Sequence, residues 1–299
     1  MNILITGGSG LVGSALCESL DGLGHTITVL SRSVSRTRKK LPQIERIIAH
    51  FDEVDSTTHF DAVINLAGES IADKRWTPKR KQVLRDSRIA LTADLIALIK
   101  RLKTKPDVLI SGSAIGYYGD GEDNILTEHS SVVDEFSHQL CAAWETQALR
   151  AKAYVPRVCI IRTGIVFSQS GGMLKKLLPS FRFGLGAKLG DGKQWMSWIH
   201  LRDLVSVINQ LLNDASCSGI YNATSPNPIT NAEFTKLLAH TLKRPSFLTL
   251  SSSFLHLLFG EMSQLLITGQ RVKPKRLLDA GFEFEYPDAA KALNEIIKK

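Results

Sequence analysis

Gly7, Gly10 and Gly13 stand near the start of the chain, in Thr6-Gly7-Gly8-Ser9-Gly10-Leu11-Val12-Gly13. Glycines at this spacing suit one chemistry. Gly7 permits a tight turn out of a strand, Gly10 lets backbone approach a pyrophosphate with no Cβ in the way, and Gly13 lets the following helix pack closely on the sheet. The free N–H groups of the helix start, those of Ser9, Leu11 and Val12 among them, lie at the positive end of the helix dipole and are expected to hold phosphates. The ligand this loop predicts is a dinucleotide.

The second candidate chemistry is recognition of one more phosphate. The next β-branched run ends Leu30-Ser31-Arg32-Ser33, with Arg36 and Arg38 close behind and no Asp or Glu. In NAD-specific domains an acid at this point accepts a hydrogen bond from the ribose 2′-OH. A carboxylate repels a 2′-phosphate, whereas a guanidinium binds it through charge-assisted and often bidentate hydrogen bonds. Ser31 and Arg32, supported by Arg36, are therefore expected to hold a 2′-phosphate, which makes the expected cofactor NADP(H). No metal site is expected. The four cysteines, Cys17, Cys141, Cys159 and Cys217, form no C-x-x-C pair and show no metal-ligand spacing with histidine. They read as inert thiols of a reducing cytoplasm.

The elements around these residues must present them at one edge of a sheet. Residues 2–6 form a short apolar strand, 10–23 a helix ended by Gly24, and 26–31 a second strand, so one strand–loop–helix–strand unit closes within about thirty residues. Strands at 61–67, 107–113 and 157–163 then alternate with helices at 78–102 and 136–151. Near-continuous apolar strands alternating with helices imply an α/β fold, a doubly wound parallel sheet of the Rossmann type. After Gly164 the rhythm breaks. A helix at 201–212, a strand at 219–223, a helix at 230–242 capped by Thr230 or Asn231, and an amphipathic helix at 287–297 are assigned to later pieces. The expected division is a dinucleotide-binding domain at 1–213, with 164–198 partly contributing to a smaller substrate-side lobe at 214–299.

The 299 residues carry a net charge of +8, with 43% hydrophobic and 22% charged residues. This is ordinary for a globular protein with a sizeable core. The basic residues are scattered apart from residues 36–40 and 273–276, and neither cluster sits in a nucleic-acid motif. The expected partner is a small molecule and not nucleic acid. No apolar run is long enough to span a bilayer, so no membrane is expected, and the N-terminus has neither the basic region nor the cleavage site of a signal peptide.

TGGSGLVG, the strand end NLAGE (65–69), LISGSAIGYYG (109–119) and WIHLRD (198–203) resemble the extended short-chain dehydrogenase/reductases. More narrowly, GESIADKRW, SGSAIGYYG, LPSFRFGLG and GQRVKPKRLLDAGFEF resemble the YfcH-like epimerase family proteins. That resemblance spans essentially the whole chain, including a C-terminal domain of unknown function at about 250–297. It implies that Leu66, Ala67 and Gly68 lie on the adenosine side of the cofactor, that Arg88 approaches it, and that residues 164–166, Val166 among them, lie beside the nicotinamide. Ser113 falls where the family keeps a Ser or Thr that hydrogen-bonds the substrate carbonyl or hydroxyl. Extended members usually also carry Tyr-x-x-x-Lys on the next helix. With Glu145 matched to the acid that follows that lysine by four, Ser137 stands at the Tyr position and Cys141 at the Lys position.

An alcohol–ketone step needs a proton donor at the reacting oxygen. Tyr117 and Tyr118, four and five residues after Ser113, lie at the carboxyl end of a strand, where open α/β sheets place their sites. Tyr117 is the expected acid; His138 is the other candidate. Lys273, Lys275 and Arg276 are candidates for an anionic substrate group. Two readings stand: an NADP(H)-dependent oxidoreductase or epimerase of a small polar substrate, or a catalytically silent NADP(H)-binding sensor. A homodimer through the helices at 78–102 and 136–151 is expected from the resemblance.

Overall fold

The computed structural model describes residues 1–298. Its main sheet is built from β1 (Asn2–Thr6), β2 (Thr26–Leu30), β3 (Arg46–Ile48), β4 (Ala62–Asn65), β5 (Val108–Ala114), β6 (Arg157–Thr163) and β7 (Gly219–Ala223). All neighbours are parallel, in the order β7-β6-β5-β4-β1-β2-β3. The chain winds outward in both directions from β1 and β4, so the crevice between their carboxyl ends is the switch point where such sheets bind ligands. The helices include α1 (Leu11–Gly22), α2 (Val34–Lys40), α3 (Pro78–Arg85), α4 (Leu91–Arg101), α5 (Phe136–Leu149), α6 (Gly172–Arg182), α7 (Leu201–Asn213), α8 (Asn231–Thr241) and α9 (Ser252–Phe259), followed by two short ones and a terminal helix.

Burial on both faces explains the nearly unbroken apolar strands. Successive side chains point to opposite faces. Ile3, Ile5, Ile64, Ile110 and Ile161 therefore enter one core layer, with α1 and α7. Leu4, Val63, Leu109 and Ile160 enter the other, with α4 and α5. Helix α1 stops as Gly24 predicts. Gly24 has φ +77°, its N–H donates to Asp21 O at 2.8 Å, and the His25 N–H donates to Leu20 O at 3.1 Å, so the last carbonyls are satisfied by a left-handed cap.

Three elements differ from expectation. The helix expected at 78–102 is interrupted by one wide π-turn, Asp86–Ala90, between α3 and α4, and Arg88 lies on that turn. The strand at 219–223, expected in the small lobe, is the sheet edge: all five residues of β7 pair with β6, from Gly219 opposite Cys159 to Ala223 opposite Thr163. The main sheet therefore runs past residue 213, because β7 returns to it after a long excursion. The basic run at 36–40 folds into α2, which leads to the unforeseen short strand β3.

The small lobe mixes distant segments. Ile165–Phe167 pairs with Trp198–His200, Ala187–Leu189 with Leu248–Leu250, and Ile125–Leu126 with Arg271–Val272. Its core stacks Phe167 on Trp198 at 4.8 Å and adds Phe234 of α8 and Leu293 of the terminal helix Ala289–Lys298. Thr230 caps α8 reciprocally with Glu233.

Candidate functional site

The loop between β1 and α1 is compact because three of its residues have no side chain. Gly7 sits at φ +73°, and a Cβ there would lie 2.6 Å from the Leu66 carbonyl. A Cβ on Gly13 would lie 2.2 Å from Gly7 O and 2.7 Å from Gly8 Cα. One on Gly10, the residue that precedes α1, would lie 3.1 Å from Gly7 O. Gly13 thus lets α1 press onto the loop, while Gly10 leaves the helix start open. Beneath it, Thr6 Oγ1 donates to Asn65 Oδ1 at 2.6 Å and accepts from the Ala67 N–H at 3.2 Å, which ties the ends of β1 and β4 together. Asn65 continues that network to Thr92 and Ser111, and Trp144 Nε1 also donates to Thr92.

This loop opens onto a cleft of about 1120 Å³ along the carboxyl ends of β1, β2 and β4. Of the cofactor residues expected from sequence, Gly7, Ser9, Gly10, Ser31, Arg32, Arg36, Leu66, Ala67 and Gly68 line it. Leu11, Val12 and Gly13 lie behind the loop in α1. Val166 is half-buried and opposite Ile199 in the small lobe. Arg88 is not on the cleft wall either. Its guanidinium lies under Gly68, donates to Glu69 O at 2.8 Å and packs 5.3 Å from the Trp144 ring, and burial lowers its pKa. It supports the floor of the cleft and does not face into it.

Arg32 and Arg36 are both exposed on the rim. Ser31 Oγ is engaged with Thr37 Oγ1 at 2.7 Å, which fixes the turn into α2. Two neighbours were not anticipated. Lys40 Nζ donates to Ser9 O at 2.7 Å, placing a cation against the glycine loop. Glu69 Oε1 pairs with Arg32 at 2.8 Å, and its Oε2 lies 3.4 Å from Arg80. The Arg32 hydrogen bond, opposed in part by desolvation, holds the Glu69 carboxyl below its usual range. Lys40 is separated from Ser9, and Glu69 from Arg32, by more than thirty residues, so no local pattern announces either contact.

At the end of β5 stands a buried polar cluster. Ser113 Oγ donates to Glu145 Oε1 at 2.6 Å. Glu145 receives both Arg162 Nε and Nη2 at 2.9 Å, and the pair is almost wholly sealed from water. Burial works against the Arg162 charge, but the Glu145 hydrogen bonds and charge hold its pKa above the ordinary value. Arg162 also donates to the Tyr118 hydroxyl at 3.0 Å, and that hydroxyl donates to Asn222 Oδ1 at 2.6 Å. Burial pushes the Tyr118 phenol up to about 12, and its hydroxyl is engaged on both sides within the cluster. The single Ser113 proton is committed to Glu145, which leaves Ser113 Oγ only lone pairs to offer, and Ser113, like Tyr117, is not among the residues that line the cleft. Glu145 entered the sequence reading only as a marker of alignment, but it sets the polarity of Ser113.

The residues at the Tyr and Lys positions are both buried. A Cβ on Gly116 would lie 3.2 Å from Ser137 Cβ, so the Ile115–Tyr118 turn packs directly on Ser137. Cys141 is buried, and desolvation pushes its thiol up to about 11. Tyr117 comes from the same turn. Its ring is half-buried and clamped by Arg162, 3.3 Å from the centroid, and by Tyr118 and His138 edge-on at 5.6 and 5.1 Å. Its hydroxyl has no hydrogen-bond partner among the described residues. His138 Nδ1 is 2.6 Å from the Tyr117 carbonyl, so it fixes that turn.

The basic cluster at 273–276 is occupied internally. Lys273 donates to Pro226 O, Lys275 pairs with Asp279, and Arg276 donates to Ile220 O and Ser218 O over the Tyr221 ring. Among the described residues no cluster of His, Cys, Asp or Glu could hold a metal ion, and no helix is long and apolar enough to cross a membrane.

Comparison with known proteins agrees with this geometry. Residues 3–224 match the NAD dependent epimerase/dehydratase family, and residues 251–296 a domain of unknown function, DUF1731. The chain is similar to epimerase family protein Mb2239 of Mycobacterium bovis, at 40% identity over 97% of this chain and 96% of that protein. It is similar to epimerase family protein YfhF of Bacillus subtilis, at 36% identity over 99% and 98%. Among solved structures, that of human epimerase family protein SDR39U1 (isoform 2) with NADPH superimposes with a TM-score of 0.90, at 30% identity over all of both chains.

Proposed function

The chain belongs to the NAD dependent epimerase/dehydratase family, as an extended short-chain dehydrogenase/reductase with a C-terminal domain of unknown function, and on that premise we propose that it is an NADP(H)-dependent oxidoreductase or epimerase of a small polar substrate. One observation carries the cofactor reading: a side-chain-free loop at a helix start opens onto a cleft where the segment after β2 brings Arg32 and Arg36 and no acid of its own, the nearest carboxylate being Glu69, which pairs with Arg32 from across the cleft. The cradle fits a pyrophosphate, since a Cβ at Gly7 or Gly13 would drive the loop off the β4 end or off α1, and Gly7 and Gly10 leave backbone bare on the cleft wall. Arg32 and Arg36 would take the 2′-phosphate, with the Ser31 turn positioning them, and Leu66, Ala67 and Gly68 would face the adenosine. The NADPH in the human relative's structure supports the same choice. The four buried free cysteines suit a reducing cytoplasm.

When bound, the nicotinamide supplies a hydride acceptor or donor. The chain's own residues handle the proton. Ser113 Oγ, its hydrogen turned to Glu145, would accept from a substrate hydroxyl next to the reacting carbon and so orient the substrate, leaving the reacting oxygen to Tyr117. The Tyr117 hydroxyl would donate its proton to the reacting carbonyl oxygen as the hydride reaches the carbon, and take it back in the reverse direction, in the role the family usually gives to the tyrosine of Tyr-x-x-x-Lys. The Arg162 guanidinium, 3.3 Å from the Tyr117 ring centroid and paired with Glu145, would hold that ring in place. Positioned acid–base groups of this kind contribute roughly 10²–10⁴-fold.

The buried thiol at the Lys position favours the rival reading, a silent NADP(H) sensor. Thermal unfolding with each nucleotide tests the cofactor: NADPH is expected to protect more than NADH, and equal protection contradicts it. NADPH consumption with a panel of small carbonyl compounds tests catalysis. Ser113→Ala and Tyr117→Phe are expected to lose turnover with NADPH affinity unchanged; a wild-type protein that binds NADPH but reduces nothing supports the sensor.

A further inference from the structure

Fourteen large apolar side chains are exposed among the described residues, and half of them fall in two short stretches, 183–185 and 247–258. All three exposed phenylalanines are there. Phe183 is 82% exposed, Phe247 80% and Leu257 73%. Single exposed apolar residues are ordinary, but a concentration of them marks a contact surface. Folding joins the stretches. Ala187–Leu189 pairs in parallel with Leu248–Leu250, Ala187 opposite Leu248, so Leu185 and Phe247 emerge at the same end of that ribbon. Arg244 Nε donates to Arg182 O at 2.7 Å, beside Phe183, and Pro245 packs over Gly184. Leu250 leads through Ser251 directly into α9, which carries Phe254 and Leu257.

The sequence around these stretches is rich in cations. Residues 171–190 hold Lys175, Lys176, Arg182 and Lys188, and residues 236–260 hold Lys236, Lys243 and Arg244, with no Asp or Glu inside either range and Asp191, Glu233 and Glu261 just beyond their ends. Of these seven cations only Lys176 has an acidic partner among the described residues, Asp73. On α6 the spacing of Lys175 and Arg182, seven apart, puts both on one face, while Leu174, Leu178 and Phe181 turn inward.

We propose that this face of the small lobe rests on an anionic lipid surface. Phe183 and Phe247 would seat at the boundary between headgroups and acyl chains, with the lysines and arginines against the lipid charges. A second copy of the chain fits poorly, because a two-fold contact would press two unpaired cationic faces together. Expecting no membrane from sequence rested on the lack of a spanning run, which says nothing about a surface assembled from stretches sixty residues apart.

The test is co-sedimentation of the full chain with vesicles of phosphatidylcholine alone and of phosphatidylcholine mixed with phosphatidylglycerol. Binding is expected to the mixed vesicles only and to weaken as salt is raised. Phe183→Ser with Phe247→Ser, and separately Lys175→Glu with Lys243→Glu, should each weaken it roughly tenfold or more. All four side chains are exposed, so circular dichroism and thermal unfolding should be unchanged. Failure to bind mixed vesicles at low salt overturns the proposal, as does binding that survives the phenylalanine pair. Sedimentation of the wild type as a dimer that the phenylalanine pair dissolves also overturns it, by showing that a second copy covers the face.

Discussion

Replacing Glu69 by Gln should tighten NADPH binding and leave NADH binding nearly unchanged. Glu69 Oε1 lies 2.8 Å from Arg32, the arginine assigned to the 2′-phosphate, and the Glu69 carboxyl is held ionised by that contact. The carboxylate therefore competes for the guanidinium and repels the arriving phosphate. The Arg32 side chain is 85% exposed, and exposed pairs of this kind contribute about 0.2–1 kcal/mol. Releasing Arg32 is then worth roughly 1.4- to 5-fold in NADPH affinity. A glutamine keeps the contact to Arg80 through its amide oxygen, so the floor of the cleft should stay in place. Titration of both nucleotides by fluorescence at two ionic strengths measures the effect, and the gap between variant and wild type should narrow as salt screens it. Weaker NADPH binding by Glu69→Gln, or an equal change for both nucleotides, would refute this reasoning, because Glu69 would then clasp the cleft and not compete with the phosphate.

Gly13→Ala places a methyl 2.2 Å from Gly7 O, where ordinary contacts begin beyond 3.4 Å. The strain should cost about 1–3 kcal/mol, lowering the Tm by roughly 2–5 °C for a chain of this size. An unchanged Tm together with unchanged NADPH affinity contradicts the packing argument. Glu145→Ala leaves the Arg162 charge buried and unpaired, and urea unfolding should show a loss of about 3–5 kcal/mol. A loss below about 1 kcal/mol would mean that the pair is open to water. His200 caps α7 by accepting the Arg202 N–H at Nδ1, and burial holds its pKa below 6.5. The unfolded chain therefore binds the proton more readily. The contribution of neutral His200 is complete above 6.5 and is lost as pH falls through the folded-state value. Stability measured from pH 7 downward should drop in that window, and His200→Gln should flatten the drop; an identical slope in the variant contradicts it.

The parts of the fold that could be read in advance are those specified locally. β1, β6 and the glycine loop are short runs whose composition follows from burial on both faces or from the need to lack a side chain. The strand at 219–223 was also recognisable as a strand, but its place was not, since only pairing with residues 159–163 puts it at the sheet edge. Ser113 illustrates the same limit at the site. Its residue type and position suggest a hydrogen bond to substrate, but whether it donates or accepts is decided by Glu145, thirty-two residues on and on a different element. Tyr117 could be named because it follows β5 directly. The clamp of Arg162 and His138 that holds it could not, and neither could Lys40 over Ser9 or Glu69 against Arg32.

The most direct test of the account is a titration of the purified protein with NADPH and with NADH, for the wild type and for Arg32→Ala. The account predicts that NADPH binds the wild type more tightly and that Arg32→Ala removes most of that preference while NADH affinity holds. If neither nucleotide binds at micromolar concentration, or if Arg32→Ala leaves the preference intact, the assignment of the cleft to a 2′-phosphorylated dinucleotide is contradicted.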